Sequence, residues 1–422
     1  MQMNFSPGGA LKPLVFRNTA IQMTAHAVIL ASGIVMNVVL SRYLGVEAFG
    51  RFQYIFAFYY FFMALNDFGV SAIAVREISQ ARPRAAEILG TVMTFRIVLA
   101  VLSIAAAWLI TLRLDFPPDV KRALALYGFM LVLTGLQLPA IMFQVEMRPS
   151  RPALAGIAAK ILAVVFVLAA AALHLRITGI VAALILAESI YTAILWLNSR
   201  VYGPFKPTWN TPLIKKILKS AFWLGLSGLL TAAVNRVDFL MLERMTDFRQ
   251  VGIYAAAYRV TNLLDALPIM IMGTVYPMMA QFASGEHGRL KRVFLRSTLF
   301  TGLAGIVLGT LTFAAAPLIV RILFGQEFTP TADCLRILVW QSVLVYCTIT
   351  GGYLLISLHH EKLNLLLFGL AAVLNVILNW FWIPVYGVNG AAAATVAAYL
   401  LIFAGTFICA WKFTGEKKAD PV

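Results

Sequence analysis

The segment Leu40–Phe52 reads LSRYLGVEAFGRF and follows the pattern L-x-R-x7-G-x-F. A similar pattern returns 202 residues later at Leu242–Tyr254, which reads LERMTDFRQVGIY. A second pair of related stretches, Gly179–Ala183 and Gly387–Ala391, is separated by 208 residues. Two matches in the same order and at nearly equal offsets indicate a chain built from two related halves.

The composition is that of a membrane protein. Apolar residues make up 61% of the 422 residues, charged residues only 12%, and the mean hydropathy is +0.85. One helical crossing needs about 20 mostly apolar residues. Leu363–Trp411 contains no charged residue and is too long for one crossing, but Pro384, Gly387 and Gly390 predict a turn inside it. Because no stretch alternates apolar and polar residues as a membrane barrel would, we expect an all-α integral membrane protein.

Hydropathy predicts twelve transmembrane helices, six in residues 1–210 and six in residues 211–422. The first two are expected at about 18–41 and 51–75, with a loop between them. Because six is an even number, both halves enter the membrane from the same side. The predicted fold is therefore two six-helix bundles related as parallel repeats, which is an arrangement of two-lobed carriers.

The loops predict the orientation of these helices. If the N-terminus is cytoplasmic, the inward segments carry about twice as many Lys and Arg residues as the outward loops, in keeping with the positive-inside rule. Both termini of a multi-pass protein are then cytoplasmic. This bias and anionic lipid headgroups account for most of the net charge of +16, so membrane lipids are predicted partners and nucleic acid is not.

The sequence does not indicate catalytic or cofactor chemistry. The predicted connections outside the membrane are short, and no phosphate-cradling G-x-x-x-x-G-K motif or metal-spaced pair of histidines occurs. The cysteines Cys334, Cys347 and Cys409 are scattered and are expected to pack as small apolar residues. We therefore predict a protein that is not an enzyme, with no cofactor and no metal site.

Four basic residues lie inside the predicted helices: Arg96, Lys160, Arg236 and Arg259. A charge in the hydrocarbon is unfavourable by at least about 2.5–3.5 kcal/mol and usually faces a cavity or a partner. Arg236 and Arg259 are equally distant along the chain from the loop between their helices, so they should lie at one depth near the outer face. Arg96 and Lys160 are each about nine residues beyond an inner helix start. The sequence thus predicts a cationic cavity with basic residues at two levels, and an anionic cargo would pass from one level to the other.

Plainer interpretations exist for some of these residues. Asp67 and Arg96 are equidistant from the loop between their helices, so they could form a buried structural ion pair instead. Lys160 could extend its long stem to the inner interface. Arg236 and Asp238 make a poorer pair, because residues two apart point to different sides of a helix.

Candidate residues for ion coupling are Asp265, Glu188, Asp67 and His26. Asp265 precedes Pro268, which should break or bend the helix and free backbone groups beside the carboxylate. A proton or Na⁺ site is one interpretation of Asp265, and a partner for an internal arginine is the other. His26 could titrate near neutral pH or pack as a hydrogen-bonded histidine.

Tyr54–Phe62 is a run rich in aromatic residues. Most of it is expected to face lipid or pack against other helices. Tyr59 or Tyr60 could instead stack on a sugar, since aromatic rings offer a large apolar face with a polar tip.

Short motifs recur along nearly the whole chain in a fixed order. The first half contains Leu44-Gly45-x3-Phe49-Gly50, Asp67-Phe68-Gly69 and Arg76-Glu77-Ile78. The second half contains Val237-Asp238-x3-Leu242, Val251-Gly252-Ile253-Tyr254-x2-Ala257-Tyr258-Arg259, Leu323-Phe324-Gly325 and Pro384-x2-Gly387-x2-Gly390-Ala391-Ala392. In this order and spacing they resemble polysaccharide-unit flippases of the multidrug/oligosaccharidyl-lipid/polysaccharide (MOP) exporter superfamily.

The resemblance implies a flippase of the bacterial inner membrane that moves an undecaprenyl-diphosphate-linked oligosaccharide by alternating access of two bundles around a cationic cavity. It implies a role in surface polysaccharide biosynthesis, such as lipopolysaccharide O-antigen or exopolysaccharide, with a polymerase and chain-length machinery as further partners. The alternatives are an ion-coupled multidrug exporter of the same superfamily and a membrane glycosyltransferase or polymerase. Four intramembrane cations suit a cationic drug poorly, and a polymerase normally needs a large outward loop.

The two arginines that repeat between the halves are distinct from the basic residues inside the predicted helices. Arg42 and Arg244 repeat between the halves, lie at predicted outward loops and are expected to hold helix ends. No basic residue stands 202 positions away from Arg96, Arg236 or Arg259, where the residues are Thr298, Ile34 and Ala57. We therefore expect the cargo site where the two halves differ.

Overall fold

The computed structural model describes residues 11–146, 150–202, 205–283 and 286–415; the side chains of residues 11–27, 150–151, 287 and 414–415 lie outside this description. Over these ranges the regular structure is helical, without a β-strand, which confirms the predicted all-α class. The α-helices are α1 (Leu11–Asp67), α2 (Val70–Gln80), α3 (Ala85–Arg113), α4 (Pro118–Tyr127), α5 (Phe129–Leu136), α6 (Ala140–Val145), α7 (Ser150–Ala172), α8 (Ile177–Ser199), α9 (Thr211–Met245), α10 (Phe248–Ala283), α11 (His287–Leu323), α12 (Thr331–Ser357), α13 (Glu361–Tyr386) and α14 (Val388–Gly415).

Eleven described stretches are long and apolar enough to cross a membrane. The first, Val28–Gln80, has 53 residues, which is more than twice what one crossing needs. Its helix is interrupted at Gly45, where φ is 71° and ψ is 175°. It therefore supplies two crossings, and the total is the predicted twelve.

The turn between the first two crossings is much tighter than the sequence predicts. Residues 42–50 were expected to form a loop, but all of them except Gly45 have helical geometry within α1. A single glycine with positive φ suffices to change the chain direction, because it has no Cβ to clash with the backbone. The predicted turn before α14 is equally short and is centred on Gly387, between Tyr386 and Val388.

The helices form two compact units. Of the described residues, the N-terminal unit contains those up to Leu40 together with those of Phe62–Gly225, and the C-terminal unit contains Ser41–Phe61 together with those from Leu226 onward. These units do not follow the predicted boundary between residues 210 and 211, because α9 is shared between them and the middle of α1 packs within the C-terminal unit. The arrangement as two parallel six-helix repeats stays a prediction.

The beginning of α9 packs in the N-terminal unit through an apolar stripe. Leu213, Ile217 and Ala221 recur every four residues on one face, and all three are buried in a core that also holds Ile73 and Ile78. Lys216 of α9 also forms an ion pair with Glu77 of α2, in which Nζ lies 2.6 Å from Oε2. The core of the C-terminal unit comprises buried side chains of α10, α11, α12 and α14: Met272, Met279, Leu290, Phe294, Leu354 and Ala410.

The two repeated motifs meet inside the C-terminal unit. A Cβ atom on Gly50 would lie 1.8 Å from the carbonyl oxygen of Phe248, and one on Gly252 would lie 2.1 Å from that of Val46. Only glycine allows two helix backbones to approach so closely. The glycines of the repeated pattern therefore mark the point where its two copies cross.

The repeated arginine Arg42 holds a helix end, as predicted from its position. Its guanidinium group donates to the carbonyl oxygens of Leu323, over 3.3 Å, and of Ile322. These carbonyls belong to the last turn of α11, which has no intrahelical donors for them. A basic side chain at this end also complements the helix dipole.

Candidate functional site

Arg96, on α3 of the N-terminal unit, is nearly enclosed by polar partners. Its Nη1 lies 3.4 Å from Asp67 Oδ1 and donates to Ser71 Oγ over 3.1 Å, while its Nε donates to Asn66 Oδ1 over 3.1 Å. Only 8% of Arg96 is exposed. The structural ion pair with Asp67, one of the two interpretations of the sequence, is thus present. Its carboxylate neutralises the charge of the arginine.

Lys160, on α7 of the same unit, also faces a carboxylate. Its Nζ lies 3.9 Å from Glu188 Oε2 on α8, and its side chain is 46% exposed. Glu188 Oε1 accepts a hydrogen bond from Gln137 Nε2 over 2.8 Å, so the carboxylate is fixed from a second side. The ion pair is longer and more exposed than that of Arg96.

Arg236, on α9 of the C-terminal unit, lies among aromatic rings. Its Cζ is 5.1 Å from the ring centre of Tyr60, 5.3 Å from that of Phe239 and 5.2 Å from that of Tyr258. Such distances allow favourable cation–π interactions. Among the described residues no carboxylate forms an ion pair with Arg236, and the neighbouring Asp238 is not within pairing distance, as its spacing predicts.

Arg259, on α10, likewise has a neutral partner. Its Nη2 donates to Gln53 Oε1 over 3.5 Å, and no described carboxylate forms an ion pair with it. Arg236 and Arg259 are close enough to repel each other electrostatically. We call these two residues the arginine pair. Their described hydrogen-bond and ring partners are amide and aromatic groups. The Asp238 carboxylate interacts electrostatically with Arg236, but it accepts its hydrogen bonds from neutral donors. The two guanidinium groups therefore keep donors for an anion.

Asp265, also on α10, has no arginine partner in the described part of the chain. Its Oδ2 accepts from Gln341 Nε2 over 3.1 Å, but its Oδ1 is buried and lacks a hydrogen bond. Pro268 leaves the Leu264 carbonyl without its helical donor, and the Tyr346 hydroxyl donates to it over 2.8 Å. The plainer interpretation of Asp265, pairing with an internal arginine, is therefore absent here.

His26 lies in α1, but its side chain falls outside the described residues, so both interpretations of it stay open. Among the described residues, no group of three or more His, Cys, Asp or Glu side chains could hold a metal ion. The predicted absence of a metal site accordingly stays a prediction.

Sequence reasoning missed a buried polar network around Asp238. The Asp238 carboxylate accepts from the Tyr254 hydroxyl, from the Phe239 N–H over 2.9 Å and from the Thr395 hydroxyl over 3.4 Å. Asn375 Nδ2 donates to the same hydroxyl over 3.4 Å. The network joins α9, α10, α13 and α14, and its donors satisfy the carboxylate without a cation.

A sequence signal for this network was available. Asn375 and Asn379 are four residues apart in an otherwise apolar stretch, and this spacing places them on one helix face. In the structure Asn379 Nδ2 donates to Asn375 Oδ1 over 3.0 Å. Paired amides in an otherwise apolar stretch of helix are therefore a useful indication of a buried polar contact.

A cavity of about 540 Å³ lies in the C-terminal unit, beside the turn at Gly45 and the beginning of α10. Its walls carry both signs of charge, from Glu47 and Glu327 and from Arg51 and Arg249, and Arg51 Nη2 lies 2.6 Å from Glu47 Oε1. None of the four predicted cargo residues lines it. It is separate from the predicted cationic site.

Comparison with known proteins identifies the family. A family model described as polysaccharide biosynthesis protein matches residues 15–283, well over half of the chain. The chain belongs to this family. The membership confirms the resemblance to polysaccharide-unit flippases, and it agrees with the prediction of a membrane transport protein rather than an enzyme.

Two curated relatives match part of the chain. A probable low-salt glycan biosynthesis flippase of Haloferax volcanii, Agl15, is 31% identical over 152 residues, which are 35% of this chain and 32% of the relative. An uncharacterized membrane protein of Methanocaldococcus jannaschii is 21% identical over 199 residues, 45% of this chain and 38% of the relative. The matches thus span about a third of the length of these relatives.

Solved structures share the fold. The chain is similar to an inward closed conformation of the lipid II flippase MurJ, with a TM-score of 0.78 and 13% identity over 92% of this chain and 87% of that one. It is also similar to an inward-facing multidrug resistance MATE family transporter of the MOP superfamily, with a TM-score of 0.72 and 15% identity over 95% and 99% of the two chains. At these identities the likeness establishes the MOP-exporter fold alone.

Proposed function

We propose that the protein is a flippase that carries an undecaprenyl-diphosphate-linked oligosaccharide from the cytoplasmic to the periplasmic leaflet of a bacterial inner membrane. The observation that carries this proposal is the arginine pair, two cations inside membrane-spanning helices whose described hydrogen-bond and ring partners are neutral. Membership of the polysaccharide biosynthesis family supports the class of cargo.

The chemistry of the arginine pair suits a diphosphate. A guanidinium group presents a planar fork of donors that binds phosphate oxygens in two-pronged fashion. Two such groups in an apolar surrounding repel each other, and an anion placed between them relieves the repulsion. The same arrangement disfavours a cationic drug, which would add a third positive charge.

The aromatic rings around Arg236 support a sugar beside the diphosphate. Tyr60 is 39% exposed, so part of its ring is free to contact a ligand while the rest lies against the arginine. Aromatic faces pack well on the apolar faces of sugars. Tyr60 is therefore proposed to contact the oligosaccharide, whereas Tyr59 is 2% exposed and is proposed to pack in the core.

Arg96 and Lys160 are proposed as the first contact of the diphosphate, but with unequal roles. A phosphate that reaches Arg96 must replace Asp67, Ser71 and Asn66, which already use its donors. Lys160 is half exposed and 3.9 Å from its carboxylate, so it exchanges partners more readily. We propose that Lys160 makes the earlier contact and that Arg96 mainly fixes α3 against α1.

The cellular setting is proposed from the charge bias and the family. Both termini are cytoplasmic in this proposal, and the lipid tail of the cargo stays in the bilayer while the two bundles alternate their access. The flipped unit is passed to a polymerase and chain-length machinery that build O-antigen, other lipopolysaccharide or exopolysaccharide. The rival functions are an ion-coupled multidrug exporter and a glycosyltransferase or polymerase.

Binding of a defined diphosphate tests the proposal. Purified protein in lipid nanodiscs is titrated with farnesyl diphosphate and, in parallel, with farnesol. We expect binding of the diphosphate only, and each single variant, Arg236→Gln or Arg259→Gln, should weaken it by about 1.5–3 kcal/mol, the range for a hydrogen bond to a charged group. Arg113→Gln is the matched control, since it removes an exposed charge at the end of α3.

Cell assays separate the rival functions. In cells whose only copy carries Arg236→Gln or Arg259→Gln at normal protein level, surface polysaccharide should be lost, while Arg113→Gln retains it. Wild-type polysaccharide in both variants would refute the assigned roles. Dye efflux without any effect on polysaccharide would favour the multidrug exporter, and glycan transfer by the purified protein would favour the enzyme.

A further inference from the structure

The side-chain amide of Asn235 on α9 is held by two phenols from other helices. The hydroxyl groups of Tyr258, on α10, and Tyr399, on α14, each donate to Asn235 Oδ1 over 3.0 Å. An amide oxygen has two lone pairs, so these bonds fill both of them. If the amide were turned over, both hydroxyl protons would lose their acceptor. The oxygen is therefore fixed toward the phenols, and Nδ2 points away from them.

The two donors of Asn235 Nδ2 are not used within the described part of the chain. Asn235 takes part in its described hydrogen bonds only as an acceptor. It is half-buried and belongs to the membrane-spanning stretch Thr211–Met245. A donor that faces hydrocarbon without a partner is strongly unfavourable. These donors are therefore expected to face a polar space, which the charge of the adjacent Arg236 requires as well.

Tyr258 connects this amide to the arginine pair. Its ring centre lies 5.2 Å from Arg236 Cζ, while its hydroxyl group is bound to Asn235. The second phenol, Tyr399, interacts electrostatically with both Arg236 and Tyr60. Asn235 therefore lies beside the proposed phosphate site and near the partly exposed ring of Tyr60.

We propose that Asn235 Nδ2 donates a hydrogen bond to the sugar that is attached directly to the diphosphate, and that this contact favours the glycosylated form of the lipid diphosphate. The inference rests on the proposed function and adds to it a residue that recognises the sugar. A diphosphate in such a cargo carries two groups, a lipid and a sugar. The lipid is a hydrocarbon, so only the sugar offers acceptor oxygens to a neutral donor beside the phosphates.

The amide and the arginines divide the cargo between them by charge. Guanidinium groups bind phosphate oxygens most strongly, because both partners are charged. A neutral amide contributes less, but its contribution depends on an acceptor at one position. A ligand without that acceptor displaces water from the donor and gives nothing in return. Tyr258 and Tyr399 are positioning residues, since an amide that is already fixed loses little freedom when the sugar binds.

Titrations with three ligands test the recognition of the sugar. Purified protein in lipid nanodiscs binds farnesyl diphosphate, farnesyl diphosphoglucose or farnesyl diphospho-N-acetylglucosamine, and the affinity of each glycosylated ligand is divided by that of farnesyl diphosphate. This ratio cancels the different charges of the ligands when variants are compared. In Asn235→Leu the ratio should fall by about 2- to 13-fold for at least one sugar, the value of one neutral hydrogen bond.

The matched control is Asn198→Leu, which removes another half-buried asparagine, near the end of α8, and should keep the wild-type ratios. Unchanged ratios in Asn235→Leu for both sugars overturn the proposal. An equal loss of affinity for all three ligands also overturns it, because Asn235 would then be structural. If the wild type does not bind farnesyl diphosphate at all, the proposed function fails together with the inference.

The positioning role of the phenols has a test of its own. Tyr258→Phe combined with Tyr399→Phe keeps both rings and removes both hydroxyl groups, so the amide of Asn235 is free to turn. The ratio should fall, but by less than in Asn235→Leu, and adding Asn235→Leu to the two changes should bring it only to the value of Asn235→Leu alone. Should Asn235→Leu not fold, a wild-type ratio in the double phenylalanine variant overturns the proposal in its place.

Discussion

The basic residues inside the helices of the two units differ in the charge of the side chains that they contact. In the N-terminal unit, Arg96 and Lys160 each face a carboxylate, Asp67 or Glu188. In the C-terminal unit, Arg236 faces aromatic rings and Arg259 faces an amide. A carboxylate neutralises a buried cation and makes it structural, whereas neutral partners hold it in place with its charge available. The comparison therefore predicts that the C-terminal unit binds the phosphate groups most tightly, after their first contact with Lys160.

The largest effect should come from giving the C-terminal unit a carboxylate. In Gln53→Glu the new carboxylate occupies the place of the amide that accepts from Arg259. It should neutralise the arginine and weaken farnesyl diphosphate binding by about 1.5–3 kcal/mol, roughly 10- to 150-fold in Kd. The exposed Gln326→Glu adds the same charge elsewhere and should bind as the wild type does. Equal affinities of both variants in nanodisc titrations would contradict the claim that the neutral partners of the C-terminal unit keep its arginines available for phosphate.

The next largest effect should come from removing a carboxylate in the N-terminal unit. Asp67→Asn leaves the 8%-exposed Arg96 with neutral partners only. Because Asp67 itself is 41% exposed, the expected loss of stability is about 1–2 kcal/mol, below the range for fully buried pairs. Thermal unfolding in detergent should show a lower Tm. Arg96→Gln combined with Asp67→Asn should lose less than the sum of the two changes, and strict additivity would contradict the ion pair.

A smaller effect is expected from the aromatic partners of Arg236. Tyr60→Leu removes one cation–π contact and should lower stability by about 0.5–1 kcal/mol. Tyr60→Phe keeps the ring and should unfold at the wild-type temperature. A Tm of Tyr60→Phe as low as that of Tyr60→Leu would assign the effect to the hydroxyl group and not to the ring.

The smallest effect is expected at Lys160. Glu188→Gln removes the charge but keeps an oxygen for Gln137 Nε2 to donate to. Since Lys160 is half exposed, the ion pair should contribute at most about 0.5 kcal/mol. The Tm should change by little, and a decrease as large as that of Asp67→Asn would show that the two pairs of the N-terminal unit are equivalent after all.

Which residues of two consecutive helices lie at the same level along the helix axes was predictable from the sequence. Asp67 and Arg96 are equidistant from their loop, and the structure brings them within 3.4 Å. Arg236 and Arg259 were assigned to one depth in the same way, and they interact. Counting works because each helical residue adds a constant rise. The number of spans followed for the same reason, since a bilayer of fixed thickness sets the length of each apolar stretch.

The direction of each side chain around its helix was not predictable. Of the rings beside Arg236, that of Tyr60 comes from α1, far away in the sequence, and that of Tyr258 comes from the next helix, α10. Position along the helix axis alone does not decide which side chains face each other. Local breaks add to the difficulty. Phe68, with φ of 38°, and Gly69 interrupt the helix immediately after Asp67, so helical periodicity does not continue through this point. The Asp238 network depended in the same way on α13 and α14 and was missed.

The crossing of Gly50 and Gly252 has a consequence for the origin of the chain. Gly50 meets the backbone of Phe248, and Gly252 meets that of Val46, so each glycine contacts the residue four positions before its counterpart. When residue i of one copy touches residue j of the other and the reverse holds as well, the contact is isologous, as at the two-fold axis of a homodimer. A half-length ancestor that paired through this glycine could have been joined head to tail without rebuilding the contact. One subunit surface would then have become an internal crossing, and the two copies of its charged residues would have been free to diverge.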